Sequence, residues 1–330
     1  MNKHDYLESK PPLTIDEQAD LLISRGLIGD KEQIHHALTI MSYYHFSGFI
    51  YQFYKKDENG SVTERFEEGT AISHILRRYE FDLELRHLVF KAIDRIETYL
   101  RRIWIEYTSL NFDAFYYSNS ENYKNWSEHK NTIESIENKA KFRQQHKHKE
   151  PFISHYEEFY KEAHLPIWMA AEFMDFGDLT YFIKYSNKAV KNSIAKNIGL
   201  PSIVLDSFLR SLNTLRNACA HHMRIWDRTW GTRPMLPNRI CDIHWYAYYH
   251  VKWRLPRFEH IKQSCGSIET SHIGFLLFIC RYLLNIISPE CEWHISMNDL
   301  FNRYVVTPEE LRMMGLPIQW NSHPLWQDGK

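Results

Sequence analysis

Residues 70–110 read TAISHILRRYEFDLELRHLVFKAIDRIETYLRRIWIEYTSL. Apolar side chains recur through this stretch from Ile72 to Trp104, mostly every three or four positions, which is the spacing of one buried helix face. Charged side chains occupy most of the positions between them. The length predicts either one very long helix or two helices with a break near Phe81.

Shorter helical patterns lie on both sides of this stretch. In residues 13–29, Thr14 precedes the acidic pair Asp16-Glu17 and an apolar run, which predicts a short capped helix. Further helices are predicted in residues 131–145, 152–162, 167–185, 190–198, 240–252 and 271–287, after Pro201-Ser202, and after the capping box of residues 307–310. The sequence shows neither a repeat nor a series of strands, so the predicted fold is mainly α.

The composition is that of a globular chain with a large core. Its 330 residues are 44% hydrophobic and 15% aromatic, with only 12 glycines and 12 prolines to interrupt helices. The formal net charge is −1, so binding to nucleic acid cannot follow from bulk charge and would need a local basic surface.

Three features predict a cytoplasmic protein that does not span a membrane. The five cysteines are odd in number and lack paired spacing, as expected of free thiols in a reducing compartment. The first residues, MNKHDYLESKPPLT, lack the apolar core of a signal peptide. The longest apolar run, residues 273–287, is interrupted by Arg281 and is shorter than the roughly 20 residues that a bilayer requires. It is therefore predicted to be a buried helix.

The candidate active site is the segment RNACAHH, residues 216–222, late in a helical pattern. A guanidinium can hold a phosphate and an imidazole can move a proton at neutral pH, which suits the cleavage of RNA, whose 2′-hydroxyl is a built-in nucleophile. On a helix Asn217 and His221 share a face, but Arg216 and His221 differ by about 140°. Either the helix bends, or a second copy brings its own residues across a two-fold axis. Alternatively, the motif is structural: Arg216 pairs with an acid, and the two histidines lie near a helix C-terminus, where positive charge is favourable.

The segment LRNACAHHMRIWDR, residues 215–228, resembles the signature of Abi-like (AbiD/AbiF type) abortive-infection proteins of the HEPN superfamily. Further blocks resemble the family in the same order: residues 40–49, 81–86, 93–97, 165–168 with 176–177, and 314–317 with Trp320. Departures are His45 in place of an arginine, Asp175 in place of a serine, and Asp94 in place of a longer acid. The resemblance implies a helical bundle of HEPN type in residues 61–330, an N-terminal helical segment in residues 1–60, and a polar insertion near residues 111–150.

The resemblance also implies a metal-independent endoribonuclease toxin of antiphage abortive infection, acting without a cofactor as a homodimer. His221 would act as general base or general acid, Arg216 would hold the scissile phosphate, and Asn217 would orient His221 or donate to the phosphate. His222 would transfer a second proton or serve as a cap. The expected product is a 2′,3′-cyclic phosphate, and DNA should resist cleavage. Relatives further suggest a restraining partner, an inhibitory non-coding RNA or another antitoxin, although no motif here identifies one.

Other charged residues have weaker candidate roles. Arg86, Arg95, Arg224 and Arg228 are candidate RNA contacts, with solvation or stacking on tryptophan as the alternative for the last two. Glu97 either supports the site or forms a structural pair with Arg101, four residues on. The basic segment 139–149 is either an RNA contact or a solvated arm. Cys241 and His244 lack a second ligand pair, so no metal site is predicted. The competing function is a catalytically silent helical module that binds RNA or protein.

Overall fold

The computed structural model describes residues 12–124, 126–145, 150–159, 164–235, 270–304 and 307–327. These residues are mainly helical, which confirms the predicted fold class. The helices are α1 (Ile15–Ser24), α2 (Lys31–Ile40), α3 (Tyr43–Ile50), α4 (Ile72–Asn111), α5 (Trp126–Gln145), α6 (Pro151–Phe159), α7 (Ile167–Ala170), α8 (Phe176–Tyr185), α9 (Lys188–Asn197), α10 (Ser202–Ala220), α11 (Ile273–Ile287), α12 (Trp293–Tyr304) and α13 (Pro308–Met313). The helix predicted at residues 240–252, with Cys241 and His244, lies outside the described residues, as do residues 146–149 of the basic segment.

Helix α4 resolves the alternative that the sequence left open. It is one continuous helix of 40 residues, about 60 Å long. Its sequence contains neither glycine nor proline, so nothing within it favours a break. Phe81, the position of the alternative break, is fully buried.

Capping residues set several helix boundaries. Thr14 begins α1 with a capping box, in which its hydroxyl accepts from the Glu17 amide and its own amide donates to the Glu17 carboxylate. Thr307 and Glu310 form the predicted capping box at α13. The helix predicted over residues 167–185 is instead divided, because Asp175 accepts a bond from the Asp178 amide at 2.9 Å and starts α8 anew. An aspartate caps a helix as well as the serine of the family pattern does.

A short β-hairpin adds two strands to the mainly helical fold. Strand β1 (Tyr54–Lys56) pairs antiparallel with β2 (Val62–Phe66). In the connecting turn, one carboxylate oxygen of Asp57 accepts from the amides of Asn59 and Ser61, and Gly60 takes a positive φ of 78°. The polar residues 57–60 are thus the hairpin turn.

The chain divides into two compact units, residues 1–85 and residues 86–330. The predicted domain boundary after residue 60 stays a prediction. In the second unit α8, α9 and α11 pack against α10. Helix α11 is buried from Ile273 to Leu284, as the sequence predicted. None of the helices in the described residues is long and apolar enough to cross a membrane.

Candidate active site at the end of helix α10

The predicted motif occupies the last turn of α10 and the residues after it. Helix α10 ends at Ala220, and His221 is its C-cap, with its amide donating to the Asn217 carbonyl at 2.9 Å. Asn217, His221 and His222 are all exposed. The candidate proton-transfer groups therefore lie at an accessible helix end.

His222 adopts an unusual backbone conformation for this end. Its φ is +55°, in the left-handed region that favours glycine. The His222 amide donates to the Cys219 carbonyl at 3.1 Å, and the Met223 amide donates to the Ala218 carbonyl at 2.9 Å. This pair of bonds is a Schellman motif, in which the left-handed residue is usually glycine. Non-glycine residues held in this region cluster at functional sites, which supports a role for His222 beyond ending the helix.

Arg216 is half-buried and keeps donor capacity for a ligand. Its Nη1 donates weakly to the Asn217 amide oxygen at 3.4 Å, and its Cζ lies 5.9 Å from the centre of the Phe90 ring of α4. Its Nε is buried without a hydrogen-bond partner among the described residues. Within the same residues no carboxylate lies within 4 Å of the guanidinium, so the simple ion-pair alternative for Arg216 is not observed.

Glu97 of α4 lies close enough to be influenced by the charge of Arg216. Its carboxylate accepts from Arg101 Nη2 at 2.6 Å, so the predicted pair is confirmed, and Arg101 also donates to the Met174 carbonyl at 3.1 Å. Burial raises the pKa of Glu97, while the positive charges of Arg101 and Arg216 oppose that rise. Glu97 is thus a half-buried carboxylate that Arg101 holds near Arg216.

Three segments that are distant in sequence converge beside the motif. They are the Glu97 region of α4, the start of α8, and α10. A Cβ at Gly177 would lie 3.0 Å from Asp175 Oδ1 and 3.5 Å from Asn213 Nδ2, so α8 approaches α10 closely one turn before the motif. The Oδ1 of Asn213 is buried without a partner in the described part of the chain. Asn213 was not among the predicted site residues, although it lies four residues before Asn217 and so shares its helix face.

The four candidate RNA-contacting arginines lie in different environments. Arg95 is exposed, and its Nη1 donates to Ser288 Oγ at 3.2 Å. Arg224 pairs with Asp227 at 2.8 Å. Arg228 lies over the Trp230 ring, 5.2 Å from its centre, which is the stacked alternative. Arg86 has only 4% of its surface exposed, and the predicted RNA contact is not compatible with that burial.

In the described part of the basic segment 139–149, the first lysine forms ion pairs with two carboxylates. Lys139 Nζ lies 3.0 Å from Asp178 and 3.5 Å from Asp175, at the start of α8. The positive charge of this lysine is therefore largely balanced beside Gly177. Elsewhere in the described residues, no three His, Cys, Asp or Glu side chains lie close enough to hold a metal ion.

Comparison with known proteins assigns the chain to a family. The family described as Abi-like protein matches residues 36–227, more than half of the chain, and the chain belongs to this family. The matched range includes the motif at residues 216–222, the Glu97 region of α4 and the start of α8. No curated protein and no solved structure gives a significant match.

Proposed function

We propose that this Abi-like protein is a metal-independent endoribonuclease of HEPN type that acts in antiphage abortive infection. The observation that carries the proposal is the state of Arg216: half-buried, without a carboxylate partner within 4 Å in the described residues, and followed after one turn by two exposed histidines. The buried Nε of Arg216 has no hydrogen-bond partner in the described residues, and an unpaired buried donor of a charged group is costly. A bound phosphate would supply that partner.

The proposed reaction needs one base, one acid and one anion-stabilising group. An imidazole removes the proton from the ribose 2′-hydroxyl, and the O2′ atom attacks the adjacent phosphorus. The P–O5′ bond breaks, and the leaving O5′ takes a proton from the second imidazole. Arg216 holds the non-bridging oxygens as negative charge builds on them. The products are a 2′,3′-cyclic phosphate and a 5′-hydroxyl.

The placement of the residues favours a homodimeric site. Arg216 and His221 lie five residues apart, about 140° around the helix axis and about 7.5 Å along it. Helix α10 is continuous from Ser202 to Ala220, and His221 is its C-cap. Two α10 ends related by a two-fold axis would place two arginines and two histidines around one phosphate. His221 and its symmetry mate then serve as base and acid, and His222 supplies the alternative pairing within one chain.

Glu97 and Asn217 act through the catalytic groups. Glu97 places a negative charge near Arg216, which restricts the guanidinium without forming a close ion pair. Asn217 accepts a bond from Arg216 and lies on the face of His221, so it orients either group. We further propose the AbiD/AbiF type of relationship, and a restraining RNA or other antitoxin that covers this helix end in the resting cell.

The test is cleavage of total RNA by the purified protein in the presence of EDTA. Arg216→Ala and His221→Ala should each lower the rate by at least about 100-fold, as expected for loss of a proton-transfer or charge-stabilising group. The matched controls Arg102→Ala and His87→Ala remove exposed side chains of α4 and should leave the rate unchanged. Intact RNA in every sample, from protein free of a copurifying inhibitor, would contradict the proposal. RNA binding by wild type without cleavage would favour the silent binding module.

A further inference from the structure

A cleft of about 200 Å³ lies at the opposite end of α10 from the motif, and it is lined by four lysines. Lys124 precedes α5, Lys184 is near the end of α8, and Lys188 and Lys191 lie in the first turn of α9. None of the described lining residues is acidic. In a chain with a net charge of −1, this is a marked local concentration of positive charge.

The fold fixes this concentration in place. The Lys124 amide donates to the Tyr185 carbonyl at 3.3 Å, and the neighbouring residues Tyr123 and Ser186 form an isolated antiparallel bridge. Lys184 Nζ lies 4.6 Å from the centre of the Tyr185 ring and donates to its hydroxyl at 3.0 Å. The backbone of the cleft is therefore preorganised, while the ammonium groups of Lys124, Lys184 and Lys188 remain exposed.

Two of the four lysines, Lys188 and Lys191, lie at a helix N-terminus, where helix electrostatics disfavours positive charge. Two helix N-termini contribute to the cleft, that of α9 through Lys188 and Lys191 and that of α10 through Ser202. The positive end of a helix dipole favours acids, yet neither first turn contains one. Pro201 also provides no side-chain cap for α10. Lys188 and Lys191 therefore lie at the positive end of the α9 helix dipole.

One carboxylate offsets only part of this charge. Asp206 pairs with Lys191 at 2.5 Å. Burial raises the pKa of Asp206, and Lys191 and Lys184 oppose that rise. Lys124 and Lys188 have no ion pair within the described residues. An anionic ligand would supply the missing charge.

We infer that this lysine cleft binds the phosphodiester backbone of RNA and holds the substrate at a distance from the cleavage motif. The inference rests on the proposed function, since it extends the substrate path of the same reaction. The cleft and the motif lie at opposite ends of α10. Ser202 and Asn217 are about 22 Å apart along the helix. Arg210, exposed midway, adds a cation to this path.

RNA is the ligand that suits both the chemistry and the dimensions. Lysines are mobile point charges that hold phosphates without reading bases, as a sequence-independent backbone contact requires. A dinucleotide bound at the motif is too short to span this path of about 22 Å. A short oligonucleotide would therefore reach the motif without reaching the cleft.

The test measures RNA binding in a His221→Ala background, so that cleavage does not interfere. The cleft variant carries Lys124→Gln, Lys184→Gln and Lys188→Gln. The control carries Lys55→Gln, Lys130→Gln and Lys196→Gln, which removes the same charge from exposed lysines outside the cleft. Fluorescence anisotropy of a labelled 20-nucleotide single-stranded RNA is followed from 50 to 200 mM NaCl, with circular dichroism to verify folding.

The cleft variant should bind at least about tenfold more weakly, and the slope of log affinity against log salt should fall by about 2 for three lost phosphate contacts. The control should change less than about twofold. With His221 intact, the cleft variant should cleave a dinucleotide at the wild-type rate and the 20-nucleotide RNA more slowly. Equal affinities and slopes for the two triple variants would overturn the cleft assignment. Loss of RNA binding in the cleft variant, combined with no cleavage by wild type, would support the cleft and overturn only the nuclease proposal.

Discussion

The left-handed conformation of His222 makes a quantitative prediction for His222→Gly. A residue with a Cβ in this region costs roughly 1–2 kcal/mol, whereas glycine adopts it freely. Glycine also gains backbone freedom in the unfolded state, which returns roughly 0.5–1 kcal/mol of that difference. The φ of +55° and the two Schellman bonds should be retained in the variant. We therefore expect His222→Gly to raise the free energy of unfolding by about 0.5–1 kcal/mol.

The variant His222→Ala distinguishes the effect of the backbone conformation from the effect of the imidazole. Alanine keeps a Cβ in the same left-handed position, so this variant should not be more stable than wild type. Urea unfolding, with the midpoint and slope fitted for all three proteins, resolves the difference. If His222→Gly were no more stable than His222→Ala, the interpretation of His222 as a strained left-handed residue would be wrong. A more stable glycine variant that also cleaves RNA more slowly would show that the histidine is kept for activity at the expense of stability.

The remaining predictions concern Glu97 and the pairing of protomers. Burial raises the pKa of Glu97 in the folded protein above its value in the unfolded chain. Below about pH 4 the carboxyl is protonated in both states, so Glu97 does not lower the free energy of unfolding there. As the pH rises through the raised pKa, the folded protein must bury the carboxylate, and the free energy of unfolding falls. In urea titrations from pH 4 to 7, Glu97→Gln should remove this fall in the free energy of unfolding, whereas the control Glu106→Gln, in an exposed ion pair, should retain it. Identical pH profiles for wild type and Glu97→Gln would refute the assignment of the fall to Glu97. Mixing wild-type and His221→Ala chains in equal amounts should lower the activity to about a quarter of that of the same total amount of wild type, because the base and the acid come from two protomers and only about a quarter of the dimers then carry both. Activity of about half in verified mixed dimers would place each site within one chain.

The helical fold could be predicted where periodicity and the absence of breakers agree. Helix α4 has an uninterrupted apolar face without glycine or proline, and it is one helix. The break before α8 was not predicted, because the apolar pattern of residues 167–185 continues through it. The break depends on Asp175, whose side chain caps a new helix. Whether an aspartate begins a helix or lies within one depends on local hydrogen bonds that periodicity does not record.

The residues of the candidate motif could be predicted from the sequence, but the residues that pack around it could not. Residues 216–222 are local in sequence, so their chemistry could be inferred directly. The approach of Glu97 and Gly177 to α10 depends on the packing of three helices and leaves no local pattern. Arg86 shows the reverse error, because a charged residue in a helix usually lies at the surface, whereas this one is buried. The lysine cleft was missed because its cations come from four positions across 68 residues of sequence.

The most direct measurement of the central claim uses one RNA oligonucleotide with a single mapped cleavage site. A second oligonucleotide replaces only the 2′-hydroxyl at that nucleotide with hydrogen, and both are incubated with the wild-type protein in EDTA. The mechanism predicts a 2′,3′-cyclic phosphate and a 5′-hydroxyl from the first, detected by mass spectrometry, and no cleavage of the second. Cleavage of both oligonucleotides at equal rates, or products with a 5′-phosphate, would contradict attack by the 2′-hydroxyl and with it the assigned roles of Arg216 and His221.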